Sequence, residues 1–375
     1  MGFSGRSAGS RRSLRAASPP GRAARTIRGL PKIDLHVHLE GSMPRATMRA
    51  LAQRHGMRIP ACDHHADMRG FLKAFGSICD LLVDAEDFHR AASDLFRMSR
   101  RLGVVHMEVL FSPQVFLRRG IALSTIMRGL VRARVQAMTD GELTLVYIAD
   151  AARQWGGEWF DEMVRALEPY TRSGVAGVGV GGDEKAVPAA AFAAGFRRAR
   201  RMGLRTTIHA GEAAGADSVR DVLETLRPDR IGHGVRAVED TGVIRALVES
   251  GTPLEICPTS NTATGCVSSL ARHPVRRLIE AGVTVTINSD DGSLFDTDIE
   301  RELARLVDRL SFSRREIIEL MLDAADAAFL PASGRRRLRH RILAGSAGRG
   351  RPKSRPQLED SGAASRAVRT IAAAP

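Results

Sequence analysis

The 375-residue chain predicts an α/β fold of the (β/α)8 TIM-barrel type, and three observations predict it. Between residues 31 and 334, eight short β-rich runs alternate with longer amphipathic segments, and eight is the number that closes a barrel. A stretch of roughly 300 residues with eight βα units suits that fold better than an open doubly wound sheet, which is the alternative arrangement. Every residue equipped for chemistry also falls at the carboxyl end of one run, and in a barrel all such ends share one face.

The first run, "KIDLHVHL", is apolar apart from Lys32, Asp34, His36 and His38, and "EGS" follows it. The stretch from about 45 to 102 is too long for one crossover helix, so it is expected to form a cap of several helices. "GVVHMEVLF", "LTLVYIAD" and "VAGVGVGG" are rich in β-branched residues and supply strands two to four. "AAAFAAGFRRARRMG" places apolar residues on one helical face and leads to "RTTIHAG", strand five. "DSVRDVLETLRPD" does the same before "RIGHG", strand six, and "TPLEICP" and "VTVTINSDD" complete the set.

The net charge of +14 would suggest a polyanion partner if it lay on the fold. It does not: residues 1–30 carry seven arginines and no acid, and residues 335–375 carry eleven Lys/Arg against Glu359 and Asp360. The body from 31 to 334 is left near −2, which argues against a specific nucleic-acid partner. Residues 1–30 read as a disordered Arg-rich extension, a mistranslated upstream stretch or a targeting peptide, without the apolar segment of a secretory signal. Residues 335–375 read as a basic low-complexity tail. No run approaches the roughly 18 apolar residues of a membrane span. Cys62, Cys79, Cys257 and Cys266 form no CxxC pair, which suits reduced thiols in a cytoplasmic protein and speaks against a cysteine-type zinc site.

His36 and His38 are two apart on a strand and share a face, so both can reach one ion. Alone the pair reads equally well as two hydrogen-bonded strand-end histidines. His209, ending strand five in "HAGE", and Asp290, ending strand eight, would complete three histidines and a carboxylate, a donor set suited to a catalytic zinc. Glu212 is a proton-donor candidate if burial raises its pKa; the plainer reading is a helix-start residue. His233 is a candidate base or electrostatic partner, and Asp291 can bond water or substrate while Asp290 binds metal. The glycines of "GVGVGGDE" suit close approach of a flat ligand better than a dinucleotide site. "CPTSN" is expected to shape the rim through turn chemistry.

Taken together and in order, "LHVHLEGS", "GDE", "HAGE", "RIGHG", "CPTSN" and "NSDD" resemble the adenosine deaminase family of the metal-dependent amidohydrolases, over roughly 31–330. The resemblance implies one Zn²⁺ held by His36, His38, His209 and Asp290. It implies Glu212 as proton donor to the purine ring, and His233 and Asp291 as the groups that orient the zinc-activated water. Substrate contacts are implied for Glu40, for Asp291 and for the backbone of Gly182. The implied reaction is hydrolytic deamination of a 6-aminopurine nucleoside, with adenine or aminodeoxyfutalosine as alternatives. "HLEG" resembles adenine deaminases where adenosine-specific members have aspartate, whereas "RIGHG" resembles the nucleoside branch. Gly292 stands where a proline is usual and is expected to loosen the site; His106 and Leu110 stand where tyrosine and arginine are frequent. Two competing readings are another hydrolysis on the same barrel and, from a different class, a non-catalytic polyanion binder acting through the basic tails.

Overall fold

A computed structural model describes residues 21–60, 68–141 and 143–347. All eight expected runs are strands: β1 (Lys32–His38), β2 (Val104–Phe111), β3 (Thr144–Ala152), β4 (Val175–Gly181), β5 (Arg205–Ala210), β6 (Arg230–His233), β7 (Leu254–Ile256) and β8 (Val285–Ile287). They neighbour one another in chain order and every adjacent pair is parallel. The ring closes just past β8, where the Asp290 N–H donates to the His36 carbonyl (2.9 Å) and the His38 N–H to the Asp290 carbonyl (3.1 Å). Lower in this seam side chains replace the ladder, the Leu35 N–H donating to Asn288 Oδ1 (2.9 Å) and the Ser289 hydroxyl to Asp34 (2.6 Å). The closure therefore fixes the backbone of His36, His38 and Asp290 directly.

Helices on the outside cover the strands and bury their apolar faces in one continuous core. The insertion after β1 is helical as expected: Arg45–His55, Met68–Cys79 and Ala85–Arg101. Asp84 starts the last of these through a capping box with Asp87, and Arg100 and Arg101 occupy its final turn, where cations suit the helix dipole. The barrel interior is more polar than the strand composition suggests. Its apolar part is a small group of Leu110, Ile148 and Phe329, so Leu110 is packed where a longer cation would have to find a partner. His106 is also inside, bonded to Thr144 (2.9 Å) and Glu108 (3.2 Å).

The folded part extends past both expected limits. Arg22–Ile27 is helical with Ala23 and Ile27 buried, and the helix Ala332–Ser346 runs through the boundary placed at 334/335. Gly334, Leu338 and Ile342 recur every fourth residue and are buried, a helical period hidden within a strongly basic composition. Residues 1–20 and 348–375 and Cys62 lie outside the described residues. Cys79, Cys257 and Cys266 are free thiols. Among the described residues no helix is long and apolar enough to cross a membrane.

Candidate active site

The carboxyl ends of the strands surround a cavity of about 220 Å³ lined by residues that include His38, His209, Glu212, His233, Asp290 and Asp291. Phe71 and Phe75 from the cap insertion and Phe295 after β8 form its apolar roof, with the Phe71 and Phe295 rings stacked at 5.3 Å. Gly182 lines the wall at φ +87°, a backbone conformation that favours glycine. Glu40 does not line the cavity. It is fully buried, its Oε1 accepts the Ser112 N–H (2.9 Å), and its Oε2 has no partner. Burial raises its carboxyl to about 7 against the pull of that N–H.

Donor atoms of His36, His38 and Asp290 lie within 4.8 Å of one another, and so do those of His36, His209 and His233. His36 belongs to both sets, so the four expected ligands gather around it. Proton positions separate ligands from neighbours. His36 Nδ1 donates to Glu255 (2.8 Å) and His209 Nδ1 donates to the Val180 carbonyl (3.2 Å), which leaves each Nε2 with a lone pair. The His36 and His38 Nε2 atoms approach to 3.2 Å and Asp290 Oδ1 stands 3.5 Å from His38 Nε2. Against the effect of burial Glu255 raises His36 to about 9, so positive charge is drawn to this point, and with that proton displaced the donor set of three imidazoles and one carboxylate fits a divalent metal. Burial keeps His38 at about 3, hence neutral, and lowers His209 well below its ordinary range.

His233 differs from these three. The Val275 N–H donates to His273 Nδ1 (3.2 Å), so His273 donates through Nε2 to Asn261 Oδ1 (3.2 Å), which turns the Asn261 amide N–H toward His233 Nδ1 (3.0 Å). His233 therefore carries its proton on Nε2, facing Glu212 Oε2 (3.5 Å) and Asp290 Oδ2 (3.8 Å). Of the two roles read from the sequence, the electrostatic partner fits this tautomer, and the base does not. Asn261 of "CPTSN" does more than shape the rim, because it selects that tautomer. Both His233 (φ 59°) and Asp290 (φ 62°) hold left-handed backbone, each at a cost of roughly 1 kcal/mol or more, as is common where function dictates geometry.

Glu212 is aimed by a residue to which the sequence reading gave no role. The buried Glu184 carboxylate accepts four successive N–H groups, from Gly211 (2.6 Å), Glu212 (3.1 Å), Ala213 (2.7 Å) and Ala214 (2.8 Å), and so fixes the "HAGEAA" turn. The signal was the acid of "GDE" itself; its neighbour Asp183 turns to solvent and accepts the Lys185 N–H (3.1 Å). Burial raises the Glu212 carboxyl, and the charges of Asp290 and Glu184 offset the pull of His233. Asp291 is raised by burial and by adjacent Asp290, and its Oδ1 has no partner. A Cβ on Gly41 would stand 1.7 Å from that oxygen, so the glycine of "EGS" makes room for Asp291. Asp150, on β3, was overlooked because one acid in "LTLVYIAD" carries no motif; it lines the cavity, and burial raises it to about 8 against the pull of His36.

Gly292 does not loosen the site. Its N–H donates to Ser42 Oγ (2.9 Å) and its carbonyl accepts the Thr297 N–H (2.8 Å), the first a bond that proline could not make.

The profile of the family described as Adenosine deaminase matches residues 31–344, and the chain belongs to that family. It is 37% identical over 292 residues to an aminodeoxyfutalosine deaminase of Acidothermus cellulolyticus, covering 74% of this chain and 82% of that one. It is 34% identical over 330 residues to an adenine deaminase of Rhodospirillum rubrum, covering 85% and 97%. The crystal structure of an adenine deaminase from Arthrobacter aurescens superposes with a TM-score of 0.80 at 29% identity, over 84% of this chain and 98% of that one. The chain is thus an enzyme, a hydrolytic deaminase on a metal-dependent amidohydrolase barrel, and the reading as a non-catalytic polyanion binder gives way.

Proposed function

We propose that the enzyme hydrolyses a 6-aminopurine nucleoside, adenosine-like, to the 6-oxo purine and ammonia, with one Zn²⁺ per chain. The observation that carries this reading is the meeting, in one roofed cavity, of a cation-demanding donor set and a carboxyl held above its ordinary pKa. His36, His38, His209 and Asp290 would hold the zinc, which when bound supplies a Lewis acid that makes water nucleophilic near neutral pH. Glu212, whose carboxyl burial raises above its ordinary range, donates a proton to the purine ring nitrogen beside C6 while water oxygen bonds to that carbon. His233, donating through Nε2–H, and Asp291, through its free oxygen, orient that water, and Asp291 takes up one of its protons. The C6–N bond then breaks, the amino group leaving as ammonia with the proton held by Asp291, while the new hydroxyl returns its remaining proton to Glu212 as the 6-oxo group forms. Gly182, with no side chain, lets the flat ring approach the backbone of the wall, and the phenylalanine roof excludes water.

Adenine and aminodeoxyfutalosine form the second reading, supported by Glu40: held behind Ser112 and off the cavity wall, it presents no carboxylate to a sugar hydroxyl. An ultraviolet assay of zinc-loaded protein on adenosine, deoxyadenosine, adenine and aminodeoxyfutalosine tests both. Turnover of either nucleoside above the base supports the first; inactivity on all four with zinc bound sinks the 6-aminopurine reading.

A further inference from the structure

The chemistry above leaves one carboxyl of the cavity without a task. Asp150, at the end of β3, is 5% exposed, lines the cavity with His209 and Glu212, and has an Oδ1 with no hydrogen-bond partner. It belongs to none of the groups whose donor atoms lie within 4.8 Å, so it is not a member of the metal cluster. The glycines of "GVGVGG" on the neighbouring strand are shaped around it. A Cβ on Gly179 would stand 2.4 Å from Asp150 Oδ1, and one on Gly181 would stand 3.0 Å from both Asp150 Oδ2 and His209 Cε1. Oδ2 and the His209 ring thus flank the same point, while the unpartnered Oδ1 stands beside Gly179, two residues earlier on β4. A buried acceptor kept free there, with two residues reduced to glycine to house it, is matched to a donor that arrives with the substrate.

We propose that Asp150 is a specificity-determining residue whose carboxyl accepts a hydrogen bond from the 6-amino group of the bound purine. The inference rests on the 6-aminopurine reading. The carbon under attack must sit beside the ligand cluster, so its amino substituent enters at the depth of Asp150. That substituent is the one hydrogen-bond donor common to every 6-aminopurine nucleoside and base at this end of the ring. The 6-oxo product lacks the amino N–H and loses the contact.

The test compares zinc-loaded wild type, Asp150→Ala and Asp150→Asn on the best 6-aminopurine substrate and on its 6-chloro analogue, which has no N–H at that position. The analogue is read as turnover or, where it is not turned over, as a competitive inhibition constant. Asp150→Ala is expected to lose about tenfold to a hundredfold in kcat/KM on the amino substrate and less than about threefold on the chloro analogue. Asp150→Asn, whose amide oxygen still accepts, is expected to stay within about fivefold of wild type. Zinc content and melting temperature report any purely structural damage. Equal losses of Asp150→Ala on the two compounds, no loss of Asp150→Ala on the amino substrate, or a loss in Asp150→Asn as large as in Asp150→Ala, overturn the proposal. A wild type that deaminates no 6-aminopurine overturns the parent reading and this one with it; an active wild type with an unselective variant overturns this one alone.

Discussion

The two ends of the barrel interior use the same buried charges to opposite ends. Toward the closed end, Arg230 donates to Glu108 (2.7 Å), to Glu255 and to the Ala327 carbonyl (2.8 Å), with the Phe329 ring 3.5 Å from its guanidinium. Burial would raise both acids, yet Arg230 holds Glu108 below its ordinary range and Glu255 at about 2. At the open end Glu40, Asp150 and Asp291 each keep an oxygen without a partner, and burial raises all three. Elsewhere among the described residues, the buried atoms without partners belong to neutral serines and glutamine or to His89. The difference teaches that the unpaired acids of the cavity wall, Asp150 and Asp291, mark the place left for ligands, whereas paired ones hold the barrel together; Glu40 stays off that wall.

The largest effect is expected from the open end. Glu212→Gln should keep its metal and its melting temperature and lose about a hundredfold to ten-thousandfold in kcat, measured on the best substrate; near-normal turnover would remove Glu212 from its role. Next comes the closed end: Arg230→Met strands Glu108 and Glu255 as buried charges and should cost about 3–5 kcal/mol in chemical denaturation. A loss below about 1 kcal/mol would mean that the paired column is not structural. Asp291→Asn should then show the inverse pattern, a fall in turnover with stability unchanged or slightly raised, because the repulsion with Asp290 is relieved. Clear destabilisation would erase the contrast between the two ends.

Much of this contrast was legible in the sequence and part was not. The strands were legible because β-branched runs and their spacing are local, and the gathering of His36, His38, His209 and Asp290 because each lies at or near the end of a strand. Glu255 and Arg230 were invisible as a pair: one lies inside "LEI" and the other opens "RIGH", and only barrel closure brings them together. Asn261 looked like turn chemistry because its effect on His233 passes through side-chain protons, not through spacing. The place of Glu40 was not legible, because its Oε1 accepts the N–H of Ser112, a cavity-lining residue 72 positions along the chain. The C-terminal boundary was missed because the arginines of Ala332–Ser346 outnumber the three buried positions that dock it.

The smallest effect calibrates the surface against both ends. Glu316 is lowered to about 2, chiefly by the Ser313 N–H and further by Arg276 (2.7 Å). A depressed carboxylate stabilises the fold above its ordinary 4.5 and loses that contribution as pH falls from there toward 2. After discounting for solvent screening, Glu316→Gln should cost about 1 kcal/mol at pH 7 and close to nothing near pH 2, read from denaturation at the two pH values. An equal cost at both would assign the effect to packing.

The central claim is that the open end is a metal-dependent deaminase site assembled around His36, and zinc titration into chelator-stripped protein tests it most directly, with bound metal, melting temperature and turnover followed together. One equivalent per chain should bind, raise the melting temperature and restore deamination, and none of the three should occur in a His36→Ala, Asp290→Ala double variant that still melts cooperatively. Full turnover by the stripped protein, or the same tight uptake by the double variant, would contradict the account.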